Sequence, residues 1–141
     1  MKALSLWQPW PWAIFDLPPE RAKDIENRTW DAPWILGQTI AIHAAKKFDD
    51  ADAWQFIKHT SGGCAMPPSG ATLPTGAIIG VVRVARFVRS SPSPWFVGPV
   101  GWMLTEATRL DEPVPCQGAQ GLWVVPPDVE AAVNEQLRRV A

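Results

Sequence analysis

The segment Ala77-Ile78-Ile79-Gly80-Val81-Val82-Arg83-Val84-Ala85-Arg86-Phe87-Val88 constrains the fold more than any other part of the chain. Its β-branched residues read as a strand, and a strand of this length in a small domain has to bend. Gly80 supplies a place for the bend, because glycine inside a strand marks bulges and corners. Fifteen Pro and ten Gly break the rest into short segments joined by tight turns. That composition points to a small β-barrel rather than a helical bundle. The 141 residues fit one domain, 1–141, large enough to bury roughly 68–70% of its unfolded surface.

Charge narrows the function. Thirteen basic residues face 14 acidic ones, for a formal net charge of -1, so the chain does not grip nucleic acid through a bulk positive field. Cys64 and Cys116 form no C-x-x-C pair, and two His and two Cys are scattered without metal-ligand spacing. Neither a metal nor another cofactor is expected. Gln8 and Pro9 interrupt the N-terminal apolar run too early for a signal peptide, and no apolar run approaches the ~20 residues that span a bilayer. A soluble, cytoplasmic protein is the expectation, with no membrane partner. Ser-His-Asp order, a Walker loop and a dinucleotide-binding fingerprint are all missing.

Taken in order, residues 2–7 alternate as a strand, with Ala3, Ser5 and Trp7 on one face and Leu4 and Leu6 on the other. A short helix is predicted over 9–16, since Pro9 and Pro11 fall in a first turn whose N–H groups lack intrahelical partners. Residues 38–43 form a strand, with Ile40 and Ile42 opposite Ala41 and His43. Residues 49–58 have a helical pattern with acidic residues in the first turn. Residues 61–76 read as a long loop and 90–99 as another. Residues 102–104 and 122–125 are strand candidates separated by Pro113 to Gly118. The end is a helix with Pro127 at its first position, burying Val129, Val133, Leu137 and Val140.

Lys23-Asp24-Ile25-Glu26-Asn27-Arg28-Thr29-Trp30 stands apart from this scaffold. It crowds polar groups onto a turn entering a strand, where a barrel core would take Val and Ile. Glu26 and Arg28 are i, i+2 and share a strand face. Lys23 joins them only from the turn before the strand. Lys23 is either a ligand anchor or a turn lysine paired with Asp24 or Glu26, and Glu26 with Arg28 is either a site or a structural ion pair.

The ordered set Leu4-Ser5-Leu6-Trp7-Gln8-Pro9-Trp10, Lys23-x-x-Glu26-x-Arg28-x-Trp30, Ile42-His43-Ala44, Gly76-Ala77-Ile78-Ile79-Gly80, Gly101-Trp102 and Gly121-Leu122-Trp123 resembles an ASCH domain of the PUA-like superfamily. The resemblance covers about residues 2–125 and leaves a C-terminal helix, 126–141, outside it. It implies an α+β fold, a small mixed β-barrel with helices packed around it, and a cleft beside the first helix. It also implies binding of single-stranded RNA or a modified nucleotide or nucleoside in that cleft. Some small members are amidohydrolases that deacylate N4-acylated cytidines through Gly-x-Lys-x-x-Thr-x-Arg, and ribonuclease activity is attributed to others. Lys23 and Arg28 match that motif; Glu26 stands at the threonine and Arg21 at the glycine.

Three functions follow as alternatives. In a binding module Lys23 and Arg28 meet phosphate or a polar edge, Glu26 accepts from a base amino group, and an indole stacks a base. In a hydrolase, acting on acylated cytidine or on RNA, Lys23 and Glu26 are the catalytic pair. In a protein-interaction module the aromatic surface meets another protein. Trp7, Trp102 and Trp123 sit in strand contexts and are expected in the core. Trp10, Trp12, Trp30, Trp34 and Trp95 lie beside turns, with Trp10 or Trp95 the expected stacking residue. His43 is a structural histidine or an acid–base group, and Lys46 and Ser93 complete the expected ligand contacts with Trp30.

Overall fold

The computed structural model describes residues 1–63 and 72–140; Cys64 and much of the expected 61–76 loop lie outside the described residues. The elements are β1 (Lys2–Gln8), α1 (Trp10–Phe15), β2 (Ile25–Arg28), a 3-10 turn (Pro33–Ile35), β3 (Thr39–Phe48), α2 (Ala51–Thr60), β4 (Ala77–Val88), β5 (Val100–Pro115), β6 (Leu122–Val124) and α3 (Pro127–Val140). No helix among the described residues is long and apolar enough to cross a membrane.

The six strands form one mixed sheet in the order β2-β5-β4-β3-β1-β6. β1 and β3 are parallel and the other neighbours antiparallel. The α+β class is as expected, but the sheet is open: β2 and β6 stand at its two ends and are not paired with each other. Closure into a barrel would need a ladder between those two ends, and they are the shortest strands, of four and three residues.

β5 departs most from the sequence reading. A strand was expected over 102–104 with Pro113 to Gly118 as a separator, yet β5 has 16 residues and runs through Pro113 and Pro115. On one side it pairs with β4 as far as Ala77 opposite Pro115. On the other, β2 reaches only Val100 to Met103, so the rest of that edge is free to carry residues without an N–H. Gln136 of α3 covers part of it, accepting from Glu112 N at 3.0 Å and donating to Glu112 O at 2.9 Å. A side-chain amide thus stands in for a neighbouring strand. Glu106, at φ 51°, lies among the register irregularities that bend β4 and β5.

Apolar side chains cover both faces. Leu4, Leu6, Ile14, Ile40, Ile42, Val82, Val84 and Trp102 fill one face. Ala3, Ala41, Ile78, Val81, Leu110 and Val114 fill the other, which α3 closes with Val133, Val129 and Leu137. The alternation expected for β1 and β3 is therefore present, with both sides buried. Asp50 caps α2 by accepting from Asp52 N at 3.1 Å and Ala53 N at 3.2 Å.

Gly80 earns its place through contact. A Cβ there would lie 2.6 Å from the Phe15 ring and 2.6 Å from the Thr108 carbonyl oxygen. Backbone cannot yield as a side chain can, so Gly80→Ala should lower stability by about 1–3 kcal/mol. Chemical denaturation checks this; an unchanged midpoint would show that β4 and β5 do not approach so closely.

Candidate functional site

Bonds to the end of β1, to α1 and to β5 build the site. Gln8 is buried and accepts from Trp12 N at 3.2 Å, satisfying one of the unpaired donors at the start of α1. Beyond the helix, Lys23 N donates to Ala13 O at 2.9 Å, and Leu104 N donates to Asp24 O at 2.9 Å. These two bonds lay the segment between α1 and β5, so that Lys23 precedes β2 rather than lying within it. That is the geometry needed for Lys23 to meet Glu26.

The three charged side chains do converge. Lys23 Nζ is 3.5 Å from Glu26 Oε1, and Glu26 Oε2 is 3.0 Å from Arg28 Nε. Lys23 is 5% exposed and Glu26 8%. The ammonium also donates to the Ile25 carbonyl and lies 5.1 Å from the centre of the Trp10 ring. Burial pushes the Lys23 pKa down, opposed by the Glu26 carboxylate. Arg28 keeps its side chain 24% exposed, so it is the member of the chain that can reach a ligand.

The intervening residue of β2 does different work. Asn27 Oδ1 accepts from Val97 N at 2.8 Å and Gly98 N at 2.9 Å, while Nδ2 donates to Trp95 O at 3.0 Å. Asn27 therefore anchors the β4–β5 loop, as Asp24 does by accepting from Ser93 Oγ at 2.6 Å. Ser93 in turn accepts from Trp95 N at 3.2 Å.

A cleft of about 1400 Å³ opens beside α1, β2 and the end of β3. Trp10, Lys23, Glu26, Arg28, Trp30, His43 and Lys46 all line it; Ser93 and Trp95 do not. Trp95 is 2% exposed and packs with Ala13, Leu17, Ile25 and Ile57, so it offers no surface for a base. Trp10 is half-buried, with its indole N–H on Asp49 Oδ2 at 2.8 Å and its ring 6.0 Å from Phe56. Trp30 is held edge-on against Trp102 at 5.0 Å, and its carbonyl accepts from the Trp102 indole at 2.9 Å.

Trp7 corrects the expectation of a core indole. It is 42% exposed and lines the cleft, whereas Trp102 is fully buried and Trp123 half-buried. Alternation had placed Trp7 on the side of Ser5, and Ser5 lines the cleft too. The sheet register breaks between Leu6, opposite Ala44, and Gln8, opposite Phe48. Such an irregularity re-aims side chains, and here it carries Trp7 past the end of the core. Asp49, Phe56 and the Cys116–Gly121 loop are further lining residues that sequence reasoning missed.

His43 is 3% exposed and fully bonded. Nε2 is 2.7 Å from the Cys116 carbonyl, which can only accept, so the proton sits on Nε2. Nδ1 then accepts from Ser5 Oγ at 3.1 Å, and that oxygen accepts from the Trp123 indole at 3.1 Å. Gly118 seals the arrangement, because a Cβ there would come within 2.5 Å of Ser5 Oγ and 2.6 Å of His43. His43 thus ties the cleft-lining loop to the sheet, and desolvation pushes its pKa below 6.5.

The cleft is not a positive well. Lys23, Arg28 and Lys46 are met by Glu26, Asp49, Asp50 and Asp52 in its lining. Among the described residues, no group of three or more His, Cys, Asp or Glu is placed to hold a metal ion.

Neither family models nor curated protein sequences give a match to this chain. Solved structures do. ASCH from Zymomonas mobilis aligns over 95% of this chain and 93% of its own, at 14% identity and a TM-score of 0.59. A tyrosine-to-phenylalanine variant of that protein aligns over 95% and 96%, at 14% identity and a TM-score of 0.57. The chain has the fold of an ASCH domain. At this identity the likeness concerns the backbone, and the cleft is understood from the side chains present here.

Two outcomes follow. Removing Glu26 leaves the Lys23 charge buried without its carboxylate, so Glu26→Ala should cost about 3–5 kcal/mol, read by denaturant unfolding; a loss below about 1 kcal/mol would contradict the pairing. For His43, the folded pKa lies below the unfolded value of 6.5. As pH falls from 6.5 the unfolded chain binds the proton first, so stability should fall with it. His43→Gln should flatten that part of the stability curve, and an unchanged slope would show that His43 is not held neutral.

Proposed function

We propose that the cleft binds single-stranded RNA or a modified nucleotide, with one base against the Trp10 indole and its polar edge toward Glu26 and Arg28. The carrying observation is the Lys23–Glu26–Arg28 chain, ordered from buried to exposed at the base of an indole-walled cleft. Lys23 lies underneath and fixes Glu26. Glu26 accepts from an exocyclic amino group, as carboxylates do from cytosine N4. Arg28 donates to a carbonyl or a phosphate, and Lys46 is exposed on the rim. The ASCH fold agrees with this reading, which the sequence resemblance also favours.

The balance of charge in the cleft sets the affinity pattern. With acidic side chains on its lining, the site has little surplus charge to offer a polyanion, so recognition rests on stacking and base-edge contacts. Oligonucleotides of a few residues should therefore bind nearly as well as long polymers. Titration of short single-stranded RNAs, nucleotides and nucleosides at low salt, followed by Trp fluorescence, tests this. Quenching is expected, with Arg28→Ala weakening affinity by about 1–3 kcal/mol. Unchanged emission with every ligand would contradict the proposal, and capture of a protein instead would favour an interaction module.

One observation favours a hydrolase as the second reading. Lys23 is buried and its pKa is lowered, the condition under which a lysine can serve as base or nucleophile. Turnover of N4-acylated cytidines and of labelled RNA by wild type but not by Lys23→Ala would support it. Identical traces for the two proteins would exclude it.

A further inference from the structure

Trp7 is the most exposed aromatic side chain lining the cleft, and the binding reading leaves it without a task. Its indole is 42% exposed, although a buried partner was available to its neighbours Leu6 and Gln8, at 5% and 1% exposure. Lys47 Nζ stands over its ring, 4.2 Å from the centre, so the ammonium covers one face of the indole. Both side chains come from the place where β1 and β3 lose register. Ala45, Lys46 and Lys47 together oppose the single residue Trp7 between the pairs Leu6–Ala44 and Gln8–Phe48. Lys46 lines the cleft as well. Trp7 and Lys46 thus line the cleft side by side in the ladder, with Lys47 held on the Trp7 ring.

Size adds a second observation. A cleft of about 1400 Å³ exceeds the ~300–1,000 Å³ usual for a site that takes one small molecule. The Trp10–Glu26–Arg28 group occupies the part against α1 and β2. A ligand of a single nucleotide has no use for the remainder.

We infer that Trp7, with Lys47 and Lys46, forms a second nucleotide subsite, so that the preferred ligand is a single-stranded oligonucleotide of two or more residues. This rests on the proposal that the cleft binds RNA or a nucleotide. One base stacks on Trp7, which accepts any base because every base has a π-face. The linking phosphate lies near Lys46, which lines the cleft. Lys47 contributes by holding the indole through the cation–π contact, and Lys46 by pairing with the phosphate.

The experiment compares a mononucleotide with di-, tri- and tetranucleotides by isothermal titration at low salt, using wild type, Trp7→Ala, Trp7→Phe and Lys47→Ala. Wild type should bind the dinucleotide roughly 5- to 150-fold more tightly than the mononucleotide, the gain that one stacked base supplies. Trp7→Ala should lose that gain and keep the mononucleotide affinity, Trp7→Phe should retain most of it, and Lys47→Ala should lose part of it. Circular dichroism confirms that each variant is folded. If Trp7→Ala shows the same length dependence as wild type, the subsite is wrong while the binding proposal stands. If wild type binds none of the ligands, both are overturned.

Discussion

A lysine ammonium buried to 5% exposure cannot stand alone, and Glu26 at 3.5 Å is what keeps it there. Desolvating two charges costs several kcal/mol each, so such a pair is a poor source of stability compared with apolar packing. Its effect here is positional. The carboxylate that neutralises Lys23 also meets Arg28 at 3.0 Å, and it therefore stands at the cleft in one orientation. β2 contributes only four residues to the sheet, yet they divide several tasks. Glu26 and Arg28 face the ligand space, Ile25 enters the core, and Asn27, which also lines the cleft, fastens the loop that precedes β5.

The walls of the cleft are held by interactions of the same kind. Asp49 fixes the Trp10 indole, the Trp30 carbonyl is fixed by Trp102, and His43 fixes the Cys116–Gly121 loop. Each anchor leaves an aromatic or polar group facing the cleft without freedom to collapse into it. Such preorganisation lowers the ordering cost of binding. It also accounts for the number of polar side chains buried near the site: Gln8, Lys23, Glu26 and His43 are all below 9% exposure.

Much of this was legible in the sequence. The β4 run and Gly80 read correctly because a long apolar strand needs a bend, and the polar stretch from Lys23 to Trp30 stood out against the scaffold. The differences share a cause, which is tertiary context. An indole in an apolar strand reads as core, but the β1–β3 ladder breaks beside Trp7 and leaves it at the cleft. β5 was cut short because Pro113 and Pro115 break most strands, but not one whose outer edge is unpaired there. Trp95 looked available among prolines, whereas Asn27 and Ser93 fold its loop inward over Ile25 and Ile57. None of these pairings can be read from local pattern, since each depends on a partner far along the chain.

The central claim, that the indole-walled cleft is where a nucleotide binds, can be tested on the indole N–H signals of the nine tryptophans. Trp34 supplies an internal control, being 66% exposed and outside the cleft. In a nitrogen-15 correlation spectrum titrated with a short single-stranded RNA, the signals of Trp7, Trp10 and Trp30 should shift while that of Trp34 stays in place. Movement of Trp34 with the three cleft signals unchanged would contradict the account.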